Sequence, residues 1–200
     1  MPSIYDLKPR FQQLLRPLTA QLYRLGITAN AVTTSAAIAS LCYGAWLLQP
    51  PRVAFALLPL FMLIRMALNA IDGMLAREYR QQSKLGAILN ETGDVVSDTA
   101  LYAPFALLPG VHSGIVAAVI FLSLMSEFVG VLGQVVGGGR RYDGPMGKSD
   151  RAVLFGLFGL LIGFDQPILP YLDACFSVMA ALLFYTVFNR GRQALRHVQS

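Results

Sequence analysis

The stretch NAIDGMLAREYRQQSKLGAILNETGD, from Asn69 to Asp94, joins two apolar runs and carries many ionisable side chains. Asn69 and Asp72 are three residues apart and Asn90 and Asp94 are four apart, so each pair shares one face of a predicted helix. Because a short loop joins the two helices, these faces can oppose each other. Four oxygen-bearing side chains then surround one small volume, and such hard ligands suit Mg²⁺, Mn²⁺ or Ca²⁺.

A purely structural role is also compatible with these residues. Asn and Asp side chains hydrogen-bond between membrane helices, and Asp72 with Arg77 would form an ordinary ion pair. Gly73, Ala76 and Gly86 favour a binding site, because they remove side-chain bulk beside the acids, although tight helix packing also uses small residues. Considered pair by pair, the residues leave both interpretations open.

The composition predicts an integral membrane protein. The chain has 200 residues, of which 55% are hydrophobic and 14% charged, whereas soluble domains carry about 25% charged residues. Apolar runs of about 20 residues are long enough to cross a bilayer. We therefore predict one all-α domain over residues 1–200 with six transmembrane spans. Their approximate limits are 30–48, 53–79, 85–108, 113–136, 150–164 and 168–188.

The segments outside the spans are basic. Residues 1–28 predict an amphipathic helix in the membrane interface, which Pro9 and Pro17 are expected to break or kink, and residues 189–200 form a basic tail. With a cytoplasmic N-terminus, every Lys and Arg except Arg52 and Arg65 lies inside, so both termini are predicted to be cytoplasmic. The net charge of +5 then reflects topology and contact with anionic membrane lipids. It does not indicate nucleic-acid binding, because the basic residues are scattered over separate segments.

The quoted stretch resembles the signature of the CDP-alcohol phosphatidyltransferases, Asp-x2-Asp-Gly-x2-Ala-Arg-x8-Gly-x3-Asp-x3-Asp. In this chain the signature reads Asn69-x2-Asp72-Gly73-x2-Ala76-Arg77-x8-Gly86-x3-Asn90-x3-Asp94. Every interval is kept, and Asn stands at the first and third acidic positions. The resemblance extends to the six-span layout and the basic N-terminus, and it is greatest to a bacterial inner-membrane branch of the family.

The resemblance implies a function in phospholipid biosynthesis. Members of the family transfer a phosphatidyl group from a CDP-linked lipid, such as CDP-diacylglycerol, to a small alcohol and release CMP, using two divalent ions such as Mg²⁺ or Mn²⁺. Carried over to this chain, Asp72 is a metal ligand and Asp94 is both a metal ligand and the base for the alcohol. Asn69 and Asn90 occupy the other two metal-ligand positions. The nucleotide and pyrophosphate pocket would be formed by Gly73, Ala76, Arg77 and Gly86.

The two asparagines halve the formal negative charge of the site. An Asn side chain coordinates through its carbonyl oxygen, but more weakly than a carboxylate. We therefore expect one divalent ion, or two only with substrate bound. A degenerate family member that binds nucleotide or lipid without turnover is the alternative interpretation.

Charged residues also occur inside the spans. Arg65, Asp98 and Glu127 lie at comparable depth, and each unpaired intramembrane charge costs about 2.5–3.5 kcal/mol. We therefore predict a buried network of Arg65 with Asp98, Glu127 or both.

The glycine-rich basic loop before the fifth span predicts a phosphate site. Ser149 or Asp150 is expected to be the N-cap of that span, which places Lys148 at the positive end of the helix dipole. A lipid phosphate or a phosphorylated acceptor would also contact Arg140, Arg141 and Arg151; a loop that only sets topology is the alternative.

Small residues recur in two of the later spans. They are expected to permit close helix packing in the fifth span and, within the protomer or at a homodimer interface, in the fourth. These residues are Gly156, Gly159 and Gly163 in the fifth span and Gly130, Gly133 and Gly137 in the fourth.

Overall fold

The computed structural model describes residues 4–49 and 52–196, with side chains from residue 9 onward. The first residues of the predicted interfacial segment, the centre of the predicted turn at 49–52 and the end of the basic tail lie outside the described residues. Within them the chain forms α-helices joined by short segments, with 3-10 turns at Ala103–Leu107 and Leu169–Tyr171. The helices are α1 (Ile4–Arg24), α2 (Ala29–Leu47), α3 (Arg52–Glu78), α4 (Lys84–Tyr102), α5 (Ser113–Val135), α6 (Lys148–Gly163) and α7 (Leu172–Arg196).

Three helical segments of the described chain are long and apolar enough to cross a membrane: α3, α5 and the segment 169–196 that contains α7. A fourth span is counted if α1 and α2, which meet at a bend of 110°, form one broken span. Helix α6 has 16 residues, fewer than the roughly 20 that a perpendicular span needs. The all-helical membrane architecture is thus confirmed, while the count of six spans stays a prediction.

Helix α1 continues through both of its prolines, so the expected break at Pro9 or Pro17 is wrong, while a kink stays a prediction. Pro17 and Gln13, the residue one turn earlier, are both exposed. The carbonyl that Pro17 leaves without an N–H donor can therefore be solvated. Leu15 and Leu22 pack against a small core, whereas Leu14 is 76% exposed. The helix thus has apolar side chains on more than the face that contacts the protein.

The chain divides into two compact units. Unit 1 contains residues 4–43 and 60–98, and its core lies between α2 and α3 at Val32, Ile71 and Leu75. Unit 2 contains residues 44–59 and 99–196, except 50 and 51. An aromatic cluster forms its core, and within this cluster Tyr102 stacks on Phe155 with ring centroids 3.8 Å apart.

Small residues allow α6 to approach the start of α3 inside unit 2, as the spacing of its glycines predicts. A Cβ on Gly159 would lie 2.9 Å from the carbonyl oxygen of Phe55, and one on Gly163 would overlap the backbone of Ala56. The glycines of α5 act within the protomer, since a Cβ on Gly130 would lie 2.8 Å from a loop carbonyl. Gly137 lies beyond the end of α5 at φ +88° and is not part of this packing.

The close approach of α6 predicts a stability effect. Gly163→Ala would force two backbones apart, and we expect a loss of about 1–3 kcal/mol in the free energy of unfolding, as for other overpacked sites. The control is Gly191→Ala on α7, where a Cβ would meet nothing closer than 3.8 Å. Thermal denaturation of both variants in detergent micelles compares them. Equal melting temperatures would contradict the packing described for α6.

Candidate active site

Asp72 of α3 is held by α2. The residue is 3% exposed, and its Oδ2 accepts a hydrogen bond of 2.8 Å from Thr33 Oγ1. Thr33 can also donate to the carbonyl oxygen of Ala29, 3.0 Å away on its own helix. The spacing of the signature does not predict the contact with Thr33, because this residue lies on a different helix. The contact fixes one carboxylate oxygen of Asp72.

The opposed faces predicted for α3 and α4 meet at Asn69 and Asp94. Asn69 Nδ2 donates a hydrogen bond of 3.0 Å to Asp94 Oδ1. The side chain of Asp94 is 19% exposed, so it can be reached from outside the helix bundle. Asn90 lies one turn before Asp94 on α4 and is half-buried. The residues at all four acidic positions of the signature therefore lie on the two helix faces joined by the Asn69–Asp94 bond.

Arg65 connects Asp94 with a second carboxylate. Its guanidinium is 4% exposed and lies 2.6 Å from Asp98 Oδ1 and 3.5 Å from Asp94 Oδ1. The same group donates to the backbone carbonyl of Asp94 at 3.3 Å. Of the two partners predicted for Arg65, Asp98 forms the ion pair. Glu127 contacts other arginines, which are described below.

The small residues of the signature have distinct surroundings. A Cβ on Gly73 would lie 3.0 Å from the Arg77 guanidinium, which is itself exposed. A Cβ on Gly86 would lie 2.6 Å from Asn30 Oδ1, so this glycine lets α4 begin close to α2. Ala76 packs beside the core of unit 1. Gly73 therefore leaves room for the Arg77 side chain, while Gly86 and Ala76 contribute to helix packing.

The oxygen donors of this site are of the type that divalent ions such as Mg²⁺ bind. Within the described part of the chain, no group of three or more His, Cys, Asp or Glu side chains is placed to hold a metal. Asp72 and Asp94 supply two carboxylates, and Asn69 and Asn90 supply two amide groups. Mg²⁺ at phosphate-transfer sites is commonly held by one or two carboxylates together with substrate phosphates and water. The side chains present match that donor set.

A second charged cluster lies in unit 2, around Glu127 of α5. Its Oε1 is 3.1 Å from Arg151 Nη2 and 3.5 Å from Arg190 Nη1, and its Oε2 is 3.8 Å from Arg140 Nη2. Arg151 and Arg190 are almost fully buried, with side-chain exposures of 0% and 2%. Three guanidinium groups thus share one carboxylate, an arrangement that attracts anions.

Sequence reasoning missed Arg190, which it assigned to the basic tail. Helix α7 continues past the predicted end of its span to Arg196, and this brings Arg190 back against α5 and the loop before α6. Its Nη1 donates to the carbonyl oxygen of Ser126 at 2.6 Å, and its Nε donates to that of Asp143 at 3.2 Å. No Gly or Pro separates Phe188 from Arg190 in the sequence, a signal that the helix continues.

The start of α6 also differs from the prediction. Gly147, and neither Ser149 nor Asp150, is the N-cap, and Lys148 is the first helical residue. Asp150 stabilises this end from inside the helix, since its Oδ2 accepts a hydrogen bond of 2.8 Å from the Gly147 N–H. A carboxylate in the first turn is also favourable toward the helix dipole.

Asp143 fixes the loop that precedes α6. Arg141 Nε and Nη2 donate to its two carboxylate oxygens at 2.8 Å and 3.1 Å. Partial burial alone would raise the pKa of Asp143, but the hydrogen bond and positive charge of Arg141 outweigh it and hold the pKa below its usual value. Asp143 therefore stays ionised at neutral pH and keeps Arg141 oriented within the loop.

Comparison with known proteins identifies relatives of this chain and of its fold. The chain is 47% identical to the inner membrane protein YnbA of Escherichia coli K12, over 96% of both chains. It is 28% identical to archaetidylinositol phosphate synthase of Aeropyrum pernix, over 92% of both. Its fold superposes on phosphatidylinositol phosphate synthase of Mycobacterium tuberculosis with a TM-score of 0.74 and 19% identity, covering 91% of this chain and 94% of that one.

The family model for CDP-alcohol phosphatidyltransferases matches residues 26–189, which include every residue of the signature. The match extends over most of α2–α7, so it rests on more than the signature. The similarity to YnbA likewise confirms the expected inner-membrane branch. The chain therefore belongs to the CDP-alcohol phosphatidyltransferase family, membrane proteins of phospholipid synthesis that transfer a substituted phosphate group from a CDP-linked lipid to an alcohol.

Proposed function

We propose that this protein transfers a phosphatidyl group from CDP-diacylglycerol or a similar lipid to a phosphorylated small alcohol, with release of CMP. The observation that carries the proposal is the Asn69–Asp94 hydrogen bond of 3.0 Å. It joins the two helix faces that bear the signature and orients an accessible carboxylate at their junction. A general base needs this combination of fixed position and access to its substrate.

Asp94 is proposed to accept the proton of the acceptor hydroxyl. As that oxygen bonds to the phosphorus that carries the diacylglycerol, the bond from this phosphorus to the CMP oxygen breaks. Arg65 and Asn69 both direct hydrogen bonds at Asp94 Oδ1, and these contacts hold that oxygen in one orientation. Oδ1 is therefore the oriented oxygen of the base.

Asp72 and Asp94, with carbonyl oxygens of Asn69 and Asn90, are proposed to hold Mg²⁺ or Mn²⁺. When bound, the ion offsets the charge of the pyrophosphate. A structure of the M. tuberculosis synthase contains manganese, and another contains CDP-DAG. The nucleotide and pyrophosphate are assigned to the surface that begins at the exposed Arg77. Gly73 lies beside Arg77 on this surface, and Ala76 and Gly86 are proposed to support it through helix packing.

The arginine cluster around Glu127 is proposed to bind the phosphate of the acceptor. Arg151 and Arg190 are buried, and the three guanidinium groups of Arg140, Arg151 and Arg190 surround Glu127, so a phosphate would be attracted by their positive charge. The names of two relatives, an archaetidylinositol phosphate synthase and a phosphatidylinositol phosphate synthase, support a phosphorylated acceptor. The complete set proposed for this site is Arg140, Arg141, Lys148, Arg151 and Arg190.

The proposed location is the bacterial inner membrane, with six spans, both termini in the cytoplasm and α1 lying in the interface. The similarity to an E. coli inner membrane protein and the distribution of Lys and Arg support it. Exposed apolar side chains on the long helices, such as Leu60, Phe121 and Phe184, support contact with lipid. We propose that the chain acts as one domain, since the family match spans both units.

A protein that binds nucleotide or lipid without turnover is the second candidate, and the two asparagines favour it. The test is release of CMP by the purified protein supplied with CDP-diacylglycerol, Mg²⁺ or Mn²⁺, and pairs of acceptors that differ by one phosphate. Glycerol with glycerol phosphate and inositol with inositol phosphate are such pairs. The transferase predicts CMP release that requires an acceptor. Binding of CDP-diacylglycerol without CMP release, with every acceptor, would identify the second candidate.

Removal of divalent ions is expected to stop the reaction. Since Asp72 and Asp94 would otherwise face an anionic pyrophosphate, excess EDTA should reduce CMP release to background, and added Mg²⁺ or Mn²⁺ should restore it. The control is CDP-diacylglycerol hydrolysis by an unrelated metal-independent enzyme in the same detergent. Full activity in EDTA would contradict the assignment of Asp72 and Asp94 as metal ligands.

A further inference from the structure

We infer that Arg65 takes the place of a second divalent cation at Asp94, so that the centre of unit 1 holds one metal ion. The inference rests on the proposed function, because it concerns the metal site of that reaction. It assigns Arg65 a positioning role, in which its guanidinium compensates charge and fixes Asp94 without touching substrate.

The contact between α3 and α4 is the first argument. Asn69 Nδ2 and Asp94 Oδ1 are 3.0 Å apart. Two carboxylates this close repel each other unless a proton or a shared cation lies between them. Because residue 69 is Asn, its amide donates a hydrogen bond to Asp94 instead. The junction of the two helices therefore holds without a bridging ion.

The position of Arg65 is the second argument. Its guanidinium is 4% exposed and lies between two carboxylates, 2.6 Å from Asp98 and 3.5 Å from Asp94. A third contact, of 3.3 Å to the backbone carbonyl of Asp94, fixes the guanidinium relative to α4. A permanent positive charge thus lies at the carboxylate oxygen that Asn69 also contacts.

The charge balance is the third argument. Asp72, Asp94 and Asp98 together carry three negative charges, and Arg65 with one divalent ion carries three positive charges. A second divalent ion would leave an excess of two positive charges in a site whose carboxylates are mostly buried. The charge balance agrees with one ion.

The test is a titration of the purified protein with Mn²⁺ in the absence of substrates. Equilibrium dialysis gives the number of ions per chain, and electron paramagnetic resonance distinguishes an isolated Mn²⁺ from a magnetically coupled pair. The native protein is expected to bind one isolated ion. Asn69→Asp is expected to bind two coupled ions, because the restored carboxylate pair needs a cation between its members.

Thr92→Asp is the matched control. It adds the same charge on α4 at an exposed position outside the proposed metal site and leaves the Asn69–Asp94 hydrogen bond intact, so this variant should still bind one isolated ion. Two coupled ions in the native protein would overturn the inference, whatever the variants do. A folded Asn69→Asp protein that binds only one ion would overturn it too. Absence of Mn²⁺ binding together with absence of CMP release would overturn both this inference and the proposed function, whereas two ions with intact CMP release would overturn the inference alone.

Discussion

Replacement of Asp94 by Asn is expected to lower the rate of CMP release by about 10²- to 10⁴-fold, the usual contribution of a general base. The variant keeps the shape of the side chain and can still accept the hydrogen bond from Asn69. It cannot take the proton of the acceptor hydroxyl. The loss should therefore appear mainly in kcat, with a smaller effect on the KM for CDP-diacylglycerol.

The matched control is Asp165→Asn. Asp165 pairs with Arg52 at 3.0 Å, and both side chains are 68% exposed, so its carboxylate serves only a surface ion pair. Its removal should leave CMP release within about twofold of the native rate, because exposed ion pairs contribute little to stability.

A measurement of Mn²⁺ binding separates the two roles assigned to Asp94. If the variant retains bound Mn²⁺ and loses turnover, Asp94 acts as the base. Loss of both Mn²⁺ binding and turnover would mean that Asp94 acts mainly as a metal ligand. If Asp94→Asn keeps the native kcat, the assignment of Asp94 as the general base is wrong.

The helices themselves were largely predictable from the sequence, because long apolar runs bounded by Gly, Pro and charged residues have few alternatives in a membrane. The predicted limits of the second and fourth spans agree with α3 and α5 to within about two residues, the usual uncertainty of helix ends. The errors include the break expected inside α1 and the start of α6. Gly147 is the N-cap because the Asp150 side chain, three residues later, accepts a hydrogen bond from its N–H, a local contact of the capping-box type.

The sequence allowed us to predict which residues lie at the centre of unit 1, but not which side chains contact each other there. Helical spacing placed Asn69 with Asp72 and Asn90 with Asp94. It could not reveal that Thr33 fixes Asp72, because that contact joins residues far apart in sequence. Nor could it choose a partner for Arg65, since Asp98 and Glu127 lie at similar depth and only the three-dimensional arrangement distinguishes them.

The cluster of unit 2 shows the same limit for Arg190. A basic residue after an apolar run is usually a topology signal. Only the continuation of α7 makes Arg190 a buried partner of Glu127. Burial changes the role that is assigned to Arg190. An exposed arginine near the membrane contacts lipid headgroups, whereas the charge of a buried arginine must be compensated by an acid, a carbonyl group or a ligand.

Arg151→Lys is expected to raise the KM for a phosphorylated acceptor by about 10- to 100-fold, the loss of one charge-assisted hydrogen bond of about 1.5–3 kcal/mol. Arg151 is fully buried and directs its guanidinium at Glu127, Ser126 and the carbonyl of Met146. Lysine keeps the positive charge beside Glu127, which protects the fold. It loses the planar arrangement of N–H donors that binds phosphate through two hydrogen bonds at once.

Arg192→Lys provides the comparison for this prediction, because Arg192 lies on α7 close to Arg190 but is exposed and outside the cluster. Its KM for the acceptor should stay near the native value. In Arg151→Lys the KM for CDP-diacylglycerol should also stay near native, since the cluster is assigned to the acceptor alone. The ratio of the CMP-release rates with a phosphorylated alcohol and with its unphosphorylated counterpart should also be smaller in Arg151→Lys than in the native protein. Equal losses for both members of a pair would mean that Arg151 supports the structure of unit 2, and that the acceptor phosphate binds elsewhere.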